Sequence, residues 1–183
     1  MLPVERRLAR LGAALEDLKR DYPAQATAIL VLALTGCRRS EILGLTWGEV
    51  KGRRLLLHNS KTGPRTVWVG EEVRALIDAL PRHPRHNRVF WCDDLETLKN
   101  SVDYHFRLAK NKIGLPQVRL HDLRHSFASH AAAMSETLPM IGKLLGHAKI
   151  GSTARYAHLD DIQVLAAAER IADCIAAAMA PLT

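Results

Sequence analysis

Residues Ala24 to Leu34 are apolar on nearly every side. A helix with no polar face is stable only when other elements enclose it. Pro23 suits the first turn of such a helix, and Thr35-Gly36 ends it. The remaining chain must therefore supply a shell, and its spacing predicts mostly helices. Leu8, Leu11, Leu15 and Leu18 place a helix over Val4 to Lys19, broken at Asp21-Tyr22-Pro23. A short helix follows at Ser40 to Leu45, and another at Glu71 to Leu80. The stripe Leu95, Leu98, Val102, Phe106, Ala109 and Ile113 gives a long one, closed by Gly114. Further helices fall around 119–132, 137–145 and 153–158, with an alanine-rich tail helix over Asp161 to Met179. The period changes at Arg54 to His58 and Thr66 to Val69, two short β-prone runs. Lys61-Thr62-Gly63-Pro64 between them makes a turn, so the pair reads as an antiparallel hairpin, with a third strand near Val50. The expected class is α+β, mainly α-helical, with a small antiparallel sheet of two or three strands in one unit spanning 1–183.

The 183 residues suffice to bury a core, and an apolar fraction of 48% excludes a disordered chain. The formal charge of +7 favours a polyanionic partner such as nucleic acid or an anionic surface, and ribosomal or merely soluble basic proteins carry the same charge. Cys37, Cys92 and Cys174 are far apart and form no CxxC pair. They read as reduced thiols of a cytoplasmic protein, with no disulfide frame and no zinc site. The longest apolar run, Ala28 to Leu34, is too short to span a bilayer, and the N-terminus lacks the apolar core of a signal peptide. No cofactor-binding or metal-binding pattern is expected.

Several residues could carry chemistry. His121 and Arg124 are three apart and share a helix face. Gly146 is a helix stop that leaves His147 at a helix end, and Tyr156 follows nine residues later. Upstream, Arg38 has Glu41 three residues on as a partner for its guanidinium, and Lys61 lies at the hairpin tip. Each has an ordinary alternative. Arg38 can be a solvated helix start, Lys61 a turn lysine, His121 and Arg124 a satisfied buried pair, His147 a cap, and Tyr156 packing. Together, two guanidiniums, an ammonium, imidazoles and a phenol suit a phosphodiester.

The order TGCRRSE, SKTGPR, HDLRHSFASH and LLGHAKIGSTARYAHL resembles the tyrosine recombinase (phage integrase) family. That pattern has an Arg in TGxRxSE, a Lys in a β-hairpin, an HxxR, an LGH and a Tyr nine residues past its His. The resemblance covers nearly the whole chain and implies a catalytic domain. Its catalytic residues would be Arg38, Lys61, His121, Arg124 and His147, with Tyr156 the nucleophile and Glu41 supporting Arg38. It implies a partner of double-stranded DNA, cut and rejoined through a 3′-phosphotyrosyl linkage without metal or ATP. It also implies a tetramer on synapsed DNA. Ser135 stands where the family often has Gly, and Trp68 where Pro is frequent. Family members usually carry a separate N-terminal DNA-clamping domain, which this chain lacks, so a fragment of a longer protein is expected. Val164, Ala168, Ile171, Ile175 and Met179 form one apolar stripe on the tail. The stripe either packs on its own domain or, as the resemblance implies, docks into a neighbouring protomer. Two other activities fit parts of this reading: relaxation of supercoils by a type IB topoisomerase, and a DNA-binding accessory module that does not cut.

Overall fold

The computed structural model describes residues 4–58, 60, 63–91, 95–146 and 161–180. Eight α-helices, a single 3₁₀ turn (Trp47–Glu49) and three strands follow in order among them. They are α1 (Val4–Asp21), α2 (Pro23–Thr35), α3 (Arg39–Leu43), β1 (Val50–Lys51), β2 (Arg54–Leu57), β3 (Arg65–Trp68), α4 (Glu71–Asp78), α5 (Leu95–Lys112), α6 (Asp122–Ala133), α7 (Leu138–Leu145) and α8 (Asp161–Met179). The strands form one antiparallel sheet in the order β1-β2-β3, with Val50 opposite Leu55 and Leu55 opposite Val67. The expected third strand is present, and it is short. The class is the expected one. The expected helix at 153–158 and Cys92 lie outside the described residues.

Helix α2 is the axis of the molecule. Every residue from Ala26 to Thr35 is buried, and α1, α3, α4, α5, α6 and α8 all pack on it. Its only buried polar groups, Thr27 and Thr35, are small, and the Thr35 hydroxyl donates to the Val31 carbonyl at 2.7 Å. No residue between Ala26 and Thr35 needs solvent, so the helix can be walled in on all sides. The long stripe on α5 behaves as its spacing requires, with Leu98, Val102, Phe106 and Ala109 buried, and Ile113 just past the helix.

The apolar stripe of α8 is seated on its own chain. Val164, Ala168, Ile171, Ile175 and Met179 are all buried, and the helix packs on α1, α2, α4, α6 and α7. The approach to α1 is close enough that a Cβ at Gly12 would collide with the carbonyl of Met179. Two ion pairs hold the same helix from outside, Glu169 with Arg53 after β1 and Arg170 with Glu136 before α7. Docking of α8 into a neighbour would require it to leave this seat. No helix among the described residues is long and apolar enough to cross a membrane.

The turn between α6 and α7 explains one departure noted in the sequence. Ser135 has φ of 62°, the only positive value at a non-glycine residue among those described. A left-handed residue is what glycine supplies at no steric penalty. Trp68, the other departure, ends β3 opposite Arg54, whose guanidinium lies 5.5 Å from the indole centroid.

Candidate active site

The site begins at the end of α2. Gly36 adopts the left-handed conformation and stops the helix, and Arg38 then becomes the N-cap of α3. Glu41 lies at the third position of α3, where a carboxylate can reach back to the N-cap amide. It does so, accepting from the Arg38 amide at 2.8 Å and from Arg38 Nη1 at 2.9 Å. The pairing read from their spacing is thus present. Arg38 Nη2 reaches the Gly146 carbonyl at 3.4 Å, and its side chain keeps 23% exposure while that of Glu41 keeps 1%.

Glu41 has two more partners that the motif reading did not assign. Arg65, at the start of β3, donates through Nη2 to Oε2 at 2.9 Å and through Nε to Oε1 at 3.3 Å. The Ser60 hydroxyl donates to Oε1 at 2.7 Å. Burial alone would raise the Glu41 pKa. The hydrogen bonds from Arg65, the Arg38 amide and Ser60, with the Arg65 charge, outweigh it and hold the group at about 2.

Arg124 occupies the centre. It lies in the first turn of α6, with only 7% exposure. Its Nη1 donates to the Gly36 carbonyl at 2.6 Å and its Nη2 to the Leu145 carbonyl at 2.8 Å. Both acceptors lie at helix C-termini, of α2 and α7, where the helix dipole favours a cation. Burial, and then the charges of Arg38 and Arg65, lower its pKa. The three guanidiniums therefore form one electrostatic cluster around a single buried carboxylate. An anion arriving beside them would relieve their mutual repulsion.

His121 is the N-cap of α6, in helical conformation. It and Arg124 line the same open cavity of about 250 Å³, together with Leu32, Cys37, Arg39 and Asp103. Arg39 is ion-paired with Asp103 at this rim. Burial first, then His125 and Arg124, lower the His121 pKa, so its neutral form is favoured. The Cys37 thiol is buried, and desolvation raises its pKa. Its sulfur accepts from Arg65 Nη2 at 3.5 Å.

Of the predicted site residues, the structure joins Arg38 to Glu41 directly, holds Arg124 and Arg38 on the adjacent carbonyls of Leu145 and Gly146, and places His121 on the Arg124 cavity. Lys61, His147 and Tyr156 lie outside the described residues. Their chain neighbours do not. Ser60, one residue before Lys61, is bonded to Glu41, and Gly146, one residue before His147, accepts from Arg38. Arg65 is the residue that sequence reasoning passed over. The available signal was strand alternation: Arg65 and Val67 share the inward face of β3, and an inward arginine needs a partner.

The site is thus a largely helical domain that gathers arginines around one buried carboxylate, with a small sheet at its edge. The family described as "Phage integrase family" matches residues 5–162. The integrase of Haemophilus phage HP1 is 33% identical over 156 residues, covering 84% of this chain and 42% of that protein. Tyrosine recombinase XerD of Chlamydia pneumoniae is 31% identical over 157 residues, covering 79% of this chain and 52% of that protein. The crystal structure of XerA recombinase has the same fold, with a TM-score of 0.65 at 24% identity over 90% of this chain and 63% of that one. The chain belongs to the phage integrase family of tyrosine recombinases. It spans about half the length of these sequence relatives.

Proposed function

We propose that this chain is the catalytic part of a site-specific DNA recombinase that cuts and rejoins strands through a 3′-phosphotyrosyl intermediate. The observation that carries the reading is the convergence of Arg38 and Arg124 at Gly36 and Gly146, with Glu41 fixing the first. Attack on a phosphodiester builds negative charge on its non-bridging oxygens, and two fixed guanidiniums stabilise that charge in the transition state. Tyr156 is the nucleophile: its phenolic oxygen bonds to phosphorus as the bond to the 5′-oxygen breaks. An ordinary phenol has a pKa of about 10, so neighbouring cations must favour its ionised form. His121, favoured as the neutral imidazole, takes the phenolic proton, and Lys61 gives one to the departing 5′-oxygen. His147 adds a donor to the oxygens. The linkage keeps the energy of the phosphodiester, so a second 5′-hydroxyl reverses the reaction on a new strand.

The partner we propose is double-stranded DNA, bound mainly through phosphates, as the charge of +7 supports. The active assembly is a tetramer on two synapsed duplexes, in which α8 passes to a neighbouring protomer. The seat of α8 on its own chain then belongs to the unassembled form.

The test is a duplex nicked beside the cleavage position, incubated with protein in excess EDTA. Wild type is expected to leave a covalent adduct on a denaturing gel, and Tyr156→Phe to bind equally but leave none. An adduct that persists in Tyr156→Phe would show that another residue attacks. Loss of the wild-type adduct in EDTA, restored by magnesium, would overturn the arginine-based mechanism.

A further inference from the structure

We propose that Arg65 is a positioning residue for the reaction, acting by holding the charge of Glu41 so that Arg38 remains free to meet the phosphate. The proposal rests on the recombinase reading above. Arg65 starts β3 with its side chain 10% exposed, and all three of its nitrogens already hold protein acceptors. Its guanidinium joins segments distant in sequence. Two of its nitrogens take both oxygens of Glu41 on α3. Its Nη1 takes the Leu144 carbonyl at the end of α7, at 3.1 Å. The stem lies against the turn before His147, where a Cβ at Gly146 would fall 2.6 Å from Arg65 Cδ.

The consequence follows from charge and geometry. Arg65 meets Glu41 with two nitrogens, the paired geometry that satisfies a carboxylate best. Arg38 meets the same carboxylate with one side-chain nitrogen and sends Nη2 toward Gly146. Together Arg38, Arg65 and Glu41 carry one net positive charge. Without Arg65, Arg38 and Glu41 become a neutral pair, and Oε2, left with the Arg38 amide as its partner, draws the Arg38 guanidinium into a two-nitrogen grip away from the substrate side. The field on a bound phosphate would then come chiefly from Arg124. A residue that only held the fold together would act through stability alone, and the two roles separate in a double variant.

The experiment uses the full chain with nicked duplexes tiled across the DNA flanking its own coding sequence, reading adduct formation, DNA affinity and thermal unfolding. Failure of wild type to form an adduct on every duplex would count against the recombinase reading itself. With an active wild type, Arg65→Met is expected to bind DNA within about twofold and to lose ~10²-fold in cleavage, the scale of one displaced donor. Adding Glu41→Gln to Arg65→Met releases Arg38 from the neutral pair and should recover cleavage by ~10-fold or more. A double variant no faster than Arg65→Met would overturn the proposal, because a structural role predicts further loss. Should Arg65→Met fail to unfold cooperatively, Arg65→Lys carries the test, since it keeps the charge and loses the fork. It is expected to bind normally and cleave ~10-fold more slowly. Wild-type cleavage by Arg65→Lys, or failure of both single variants to fold, would likewise overturn the positioning role.

Discussion

Arg124 and Leu145 are joined by a hydrogen bond of 2.8 Å from the Arg124 guanidinium to the last carbonyl of α7. The other Nη holds the Gly36 carbonyl at the end of α2, so one side chain locks two helix ends. Arg124→Met strands both carbonyls, and each buried unpaired group is expected to lower stability by about 1–3 kcal/mol. Arg124→Lys can reach only one of them. Urea unfolding should rank wild type above the lysine variant, and that above the methionine variant. Near-normal cleavage by Arg124→Lys would make the arginine structural rather than catalytic.

Arg38 should behave differently. Its amide, not only its side chain, caps Glu41, and Arg65 still covers the carboxylate when the Arg38 side chain is shortened. Arg38→Ala is therefore expected to fold almost as stably as wild type while losing at least ~10²-fold in cleavage. Arg38→Lys should recover little, since a point charge cannot replace a fork. The pairing of an unchanged melt with lost activity is the signature to measure.

Glu41 sets an acid limit. Its carboxyl is held at about 2 against an ordinary 4.5, so the folded state binds its proton more weakly than the unfolded chain does. The stability this gives is present in full above pH 4.5 and is lost as pH falls toward 2. It amounts to a few kcal/mol, on the order of 1.4 per pKa unit. Denaturant midpoints across this window should fall steeply for wild type and much less for Glu41→Gln. Equal slopes would place the proton uptake elsewhere.

Much of this cluster was legible in the sequence because its parts are local. Arg38 and Glu41 are one helical step apart, and Gly146 announces the end of α7. The enclosed character of α2 was equally plain, since every side of it is apolar. What could not be read was long-range and partly backbone. The partners of Arg124 are carbonyls of Gly36 and Leu145, and a carbonyl has no letter in a sequence. Arg65 was hidden by its setting, a hairpin whose lysine drew attention and whose second strand, expected from Thr66, in fact begins one residue earlier.

Ser135 offers a gain rather than a loss. Its φ of 62° lies in the left-handed region, where a side chain is unfavourable by roughly 1–2 kcal/mol. Ser135→Gly is expected to stabilise the chain by about 0.5–1 kcal/mol, because greater freedom of the unfolded chain offsets part of the relief. Thermal unfolding of the variant checks this. A lower melting temperature would mean that the serine hydroxyl contributes more than the strain removes.

The contact of Gly12 with Met179 sets the timing of folding in the cell. The two residues are separated by almost the whole chain, yet their helices touch at the backbone. At about 5–20 residues per second, the last helix leaves the ribosome on the order of ten seconds or more after the first. During that interval α1 has no partner along this seam, and Ile171 and Ile175, which are buried in the finished molecule, do not yet exist to cover their neighbours. Closure of this seam must therefore wait until α8 itself has left the ribosome. A nascent chain stalled before Asp161 would expose an apolar trough, a natural docking point for chaperones during synthesis.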